Sequence, residues 1–186
     1  MHIVQAPDTV LSSKATAVEE IDKTIQDILK EMHYALLHAS DPEGVGLAAP
    51  QVGKSLQIFI VRETPDSPLL TIINPKIEKF FDEPKKSRKE RTEASKKKGT
   101  QLEGCLSLKD IWGVVKRYYG VELSYLDENG EKHTQKFTGF LATIMQHEYD
   151  HLQGFLFTKR VLEQQNPLYR SVKNGKGEVE FEEISL

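Results

Sequence analysis

His147, Glu148 and His151 stand in the order H-E-x-x-H. The residues around them, from about Phe140 to Leu152, carry the apolar spacing of a helix. Two histidines four positions apart lie one above the other on a helical face, near enough for both rings to bind a single metal ion. Glu148 would then reach a water on that ion. The chemistry such a set supports is hydrolysis, in which the ion acidifies a water, a carboxylate takes the proton and the oxygen attacks a carbonyl carbon. The alternative is a pair of core histidines satisfied by hydrogen bonds.

A catalytic site of this kind needs a third protein ligand and an open position for water. In one large class of zinc proteases the pattern runs on through a glycine to a third histidine. Here Gly154 fits the glycine, but Phe157 stands where the histidine would be. Glu163 lies farther along with no supporting motif around it. The chain has a single cysteine, Cys105, so no internal disulfide can form. Read alone, Cys105 is either a buried structural thiol or a metal ligand.

The elements that must position these groups follow from patterning. Ile21, Ile25, Ile28, Leu29, Met32 and Leu36 mark one face of an amphipathic helix. Thr16 and Glu19 read as its capping box, which puts its start near Ala17, and it stops before Ser40, Asp41 and Pro42. Gly44 to Gly53 is glycine-punctuated backbone that suits close approach to something. Gln57–Arg62 and Leu69–Asn74 read as strands. Val121–Leu126 and Lys132–Phe137 flank Asp127-Glu128-Asn129-Gly130 as a hairpin. The helix bearing the histidines has Thr138 as its cap, Gly154 beyond its end and apolar residues on more than one face, so it belongs in the middle of the domain. The stretch 177–186 alternates weakly and could add an edge strand.

At 186 residues the chain fits one domain. Its 38% hydrophobic and 28% charged residues are those of a soluble globular protein. The expectation is a cytoplasmic protein with no signal segment and no membrane span. A net charge of -3 argues against a dedicated or sequence-specific nucleic-acid binder.

Three segments, Gly44-Val45-Gly46-Leu47-Ala48-Ala49-Pro50-Gln51, Glu103-Gly104-Cys105-Leu106-Ser107 and Gln146-His147-Glu148-Tyr149-Asp150-His151, resemble in order and spacing the three signature motifs of peptide deformylases. The resemblance runs from the Pro7-Asp8 region to about Leu162. It implies an α+β fold, antiparallel sheets packed around a central buried helix carrying H-E-x-x-H. It also implies an enzyme that removes the formyl group from the N-terminal formylmethionine of nascent polypeptides and releases formate. By the same resemblance Cys105, His147 and His151 are the metal ligands, and Glu148 is the general acid and base. Gln51 and the backbone N–H of Leu106 stabilise the oxyanion. Gly44, Val45, Gly46, Glu103, Gly104, Trp112, Phe140 and Ile144 meet the substrate, Phe140 and Ile144 lining the methionine pocket. A thiolate with two imidazoles suits a tetrahedral divalent site. The family commonly works with ferrous iron, whereas the affinity order for divalent metals favours Zn2+ or Ni2+ in isolated protein. Asp150 is a candidate outer carboxylate paired with Arg117, or else part of an exposed ion pair.

The chain departs from the family in two places. A basic run, Lys85 to Lys98 within an insert over 83–99, reads as a flexible solvated excursion or as a contact with ribosomal RNA. Lys109 and Trp112 stand where many members carry a proline and a peptide-binding arginine. The acidic tail, with Glu178, Glu180, Glu182 and Glu183, lacks the basic helix some relatives use at the ribosome. The expected partners are formylmethionyl nascent peptides and, transiently, the ribosome, with the enzyme a monomer. Two other readings compete. A zinc peptidase would need a third ligand after His151, and a noncatalytic binding module would have no need of Glu148 and Gln51.

Overall fold

The computed structural model describes residues 2–39, 43–83 and 102–185. Most of the basic insert therefore lies outside the described residues. Two antiparallel sheets carry the fold. The first holds β1 (Gly46–Ala48), β2 (Ile58–Val61), β3 (Leu70–Phe81), β6 (Gly120–Leu126) and β7 (Lys132–Thr138), in the order β1-β2-β3-β6-β7. The second holds β4 (Leu102–Cys105), β5 (Leu108–Val114), β8 (Leu168–Lys173) and β9 (Val179–Ile184), in the order β4-β5-β8-β9.

Side chains alternate across a strand, and β2 is apolar at every position because both of its faces are covered. Ile58 and Ile60, with Ile73 of β3, meet helix α1 (Lys23–Leu37) through Ile25, Leu29, Met32 and Leu36. Phe59 and Val61, with Ile72, Val121 and Leu123, form the opposite face with Ala142, Ile144, Met145 and Leu152 of helix α2 (Gly139–Leu152). The α+β class and the central place of this helix agree with the sequence reading. Under the second sheet, helix α3 (Phe157–Glu163) packs Phe157 and Val161 beside Cys105 and Leu168.

The first helix begins later than the capping box implies. Asp22 caps it, accepting from the N–H of Ile25 at 2.9 Å. Thr16 instead bridges to Leu56, its hydroxyl donating to Ser55 O at 2.7 Å, while Val18 exchanges two hydrogen bonds with the Asn74 amide. These tertiary bonds together outweigh a local cap, worth about 1 kcal/mol. Strand β3 runs past its expected end because a bulge absorbs Pro75, with Asn74 at φ 50°. The hairpin β6–β7 pairs as read, Val121 with Phe137 and Leu126 with Lys132. Thr138 precedes α2 but makes no side-chain cap bond, and Gly139, at φ 65°, turns the chain into the helix. The stretch 179–184 is an edge strand. Strands β4, β5 and β8 and helix α3 were not legible beforehand, since their short segments show no clear period.

Candidate metal centre and cleft

Helix α2 presents His147 and His151 one turn apart, with ring centres 5.1 Å from one another. Strand β4 ends at Cys105, whose Sγ lies 3.3 Å from Nε2 of His151. One ligand atom from each of the three residues falls within 4.8 Å of the others. Ligand bonds of about 2.0–2.3 Å at the tetrahedral angle separate ligand atoms by roughly 3.4–3.6 Å, so the cluster is sized for one ion.

Electrostatics point the same way. Burial would lower the pKa of His147, but its bonds to Cys105 and Glu103 and the charge of Glu148 outweigh burial and raise it well above the ordinary range. A cation bound there would take the place of that proton, since a ligating imidazole must be deprotonated. Burial, with His147 and Arg117 nearby, depresses His151 well below its usual value and keeps it in the neutral form that binds metals. The donor set fits the ion the sequence implied.

Around these three stand the other residues singled out from sequence. Glu148 is buried, and among the described residues its Oε2 has no hydrogen-bond partner. Burial is the main cause that pushes its carboxyl up to about 7. Gly46 lies against it so closely that an added Cβ would sit 2.3 Å from Oε1. The Gln51 carbonyl accepts from Ala48 N–H at 2.8 Å, which turns its amino group toward Cys105 Sγ at 3.5 Å. Leu106 occupies the turn between β4 and β5, where its backbone oxygen accepts from Gln5.

A cleft of about 1570 Å³ opens over this group. Val45, Gly46, Gly104, Trp112, Phe140 and Ile144 all line it. Trp112 pairs with Gly104 across the sheet, and its ring packs on that glycine and edge-on to Phe181. Trp112 thus presents an aromatic surface to the cleft at the place where the resemblance puts an arginine in many members. Gly44 is held against Leu36, where an added Cβ would meet the side chain at 2.7 Å.

Glu103, which the resemblance gives as a substrate contact, also lines the cleft, and its carboxylate is engaged in the interior. Its carboxylate takes two bonds from Arg117, both at 2.9 Å, and one from Nδ1 of His147 at 3.0 Å. Burial alone would raise its pKa, yet these partners hold it at about 2. Arg117 also donates to Asp150 at 2.6 Å, and Arg160 adds two bonds to the same carboxylate. The pairing of Asp150 with Arg117 is buried rather than exposed. The links through Glu103 and Arg160 have no spacing signal in the sequence. Glu163 pairs with Arg160 and takes no part in the metal cluster, and Phe157 stacks on the His147 ring.

None of the described helices is long and apolar enough to cross a membrane. Residues 1–167 match the family model described as polypeptide deformylase. Peptide deformylase 1 of Bacillus cereus is 36% identical over 163 residues, covering 87% of this chain and 92% of that protein. The peptide deformylase of Borreliella burgdorferi is 39% identical over 157 residues, 84% of this chain and 85% of its own. Among solved structures, a Synechococcus elongatus peptide deformylase in complex with actinonin superposes with a TM-score of 0.72 at 35% identity, covering 86% of this chain and 78% of that one. The Thermotoga maritima enzyme gives 0.72 at 29% identity, over 86% and 96%. The chain therefore belongs to the polypeptide deformylase family, hydrolases that remove N-terminal formyl groups.

Proposed function

We propose that this hydrolase removes the formyl group of formylmethionine from nascent polypeptides with one divalent ion held by Cys105, His147 and His151, and with Glu148 moving the proton. The observation that carries the reading is convergence: three ligand atoms within 4.8 Å of one another and, beside them, a buried carboxylate with an oxygen unpartnered among the described residues. When bound, the ion supplies the Lewis acidity that lets water lose a proton near neutrality. Glu148 takes that proton and returns it to the leaving amine. Burial matches its basicity to that task. Gln51 Nε2 and the Leu106 N–H serve as donors to the oxyanion, and the Ala48 bond preorganises the first of them.

The substrate lies between two open edges. Strand β1 ends the first sheet and β4 ends the second, and both border the cleft. Because Arg62 N–H bonds Val45 O, alternation along an antiparallel pair leaves the N–H and C=O of Gly46 facing away from β2. An extended peptide can therefore lie along Gly44, Val45 and Gly46 and pair with the free backbone groups of Gly46, with Gly104 opposite. Phe140 and Ile144 receive the methionine side chain, and Trp112 offers an apolar surface to the residues that follow.

The same reading makes ferrous iron the working ion in the cell, with zinc or nickel entering on isolation. It places the enzyme in the cytoplasm as a monomer that touches the ribosome transiently through its basic run. The test is formate release from formyl-Met-Ala-Ser by protein of measured metal content. Metal-replete protein that releases none would overturn the proposal.

A further inference from the structure

Arg62 follows β2 directly and is only 6% exposed, an unusual place for a guanidinium, which is costly to take out of water. Among the described residues its side chain bonds carbonyls. Nε donates to Gly44 O at 2.8 Å and Nη1 to Pro65 O at 3.3 Å. Its backbone N–H donates to Val45 O at 2.8 Å. One residue thus holds two consecutive carbonyls of the strip beside which the peptide is proposed to lie.

The strip is otherwise tied by the Gly44 N–H to Ala39 O at 3.2 Å and by the packing of Gly44 on Leu36 and of Val45 on the core. Two of its three residues are glycines, which lose the most conformational freedom on ordering. Ladder pairing with β2 begins only at Gly46. Gly46 must nevertheless keep contact with Glu148 while presenting its free backbone groups to the substrate. The guanidinium fork reaches Gly44 O and Pro65 O in fixed directions and so ties the first residue of the strip to the loop after β2, while the Val45 bond belongs to the Arg62 backbone and survives substitution of the side chain.

We propose that Arg62 is a positioning residue for peptide binding, its guanidinium holding Gly44 so that the strip is ordered before the substrate arrives. The inference rests on the deformylase reading of the cleft. Arg62 touches neither the metal cluster nor Glu148, so its removal weakens binding and spares the chemical step. Preorganisation of this kind appears in KM, and it matters more to substrates with more backbone to pair.

The experiment compares the metal-replete parent with Arg62→Ala and Arg62→Lys on formyl-Met-Ala-Ser and on formyl-methioninamide, which has less backbone to pair. In Arg62→Ala, KM for the tripeptide should rise about five- to tenfold, with kcat within about twofold and KM for the amide changed less than about twofold. Arg62→Lys, which keeps charge and most of the volume should the alanine variant fail to fold, should still raise KM for the tripeptide, because an ammonium lacks the fork. Metal content and thermal unfolding of the lysine variant should match the parent. Equal effects on both substrates, a fall in kcat at constant KM, or parental constants in the lysine variant would overturn the proposal. A parent that releases no formate overturns the deformylase reading and this inference together, whereas an active parent with unaffected variants overturns this inference alone.

Discussion

A hydrogen bond of 3.0 Å joins Nδ1 of His147 to Oε2 of Glu103. Glu103 is held ionised by Arg117 as well, so the shared proton stays on Nδ1 and the lone pair of Nε2 is left for a metal. Two residues from the cysteine, Glu103 thereby orients a ligand on another element.

Glu103→Ala should therefore weaken metal binding by about 10–100-fold, the usual cost of losing an outer partner of a ligand. Competition with a chelator measures it. Parental affinity would show that α2 alone orients the ring.

Glu148→Gln should keep the metal and lose turnover by about a hundredfold or more, since an amide cannot accept the proton of water. Metal analysis and kcat on one preparation check both halves. Gln51→Ala should lower kcat more than it raises KM, the mark of an interaction made mainly in the transition state.

Gly46→Ala should reduce kcat about ten- to a hundredfold with the metal retained, because the new methyl would lie 2.3 Å from Glu148 Oε1 and force the carboxylate aside. A structure of the variant with Glu148 unmoved and activity intact would contradict this.

The pH dependence of stability in metal-free protein should carry two opposite contributions. Glu148, raised to about 7, contributes stability that is full below its unfolded value near 4.5 and is lost as pH rises through 7. Metal-free Glu148→Gln should accordingly be more stable than metal-free parent at pH 8, by on the order of 1–3 kcal/mol, and the gap should close below about pH 4.5. Glu103, lowered to about 2, contributes stability present above 4.5 and lost as pH falls toward 2. Denaturant melts across pH measure both.

Replacing Lys85 to Lys98 with a short glycine-serine linker should leave metal content and activity on small formyl peptides within a few-fold of the parent. Cosedimentation with ribosomes should weaken in the shortened protein and in raised salt, as phosphate contacts are screened.

Much of the site was written in local order. H-E-x-x-H needs only a helix to bring two imidazoles together, and apolar residues on more than one face of that helix place it centrally, in keeping with its packing on the first sheet. The Asn-Gly turn set the β6–β7 register for the same reason, that its geometry is decided within a few residues. Other features depended on residues far apart. Thr16 gave up the capping box because Ser55 and Leu56 arrive beside it, and Asn74 meets Val18 across 56 positions of chain. The Glu103 carboxylate bonds His147, 44 residues away, because Arg117 and the imidazole neutralise a charge that burial would otherwise penalise. Short-range periodicity and turn chemistry are encoded by neighbours. Which charges pair in the interior, and which strand edges stay open, is settled only when the sheets pack and water is excluded.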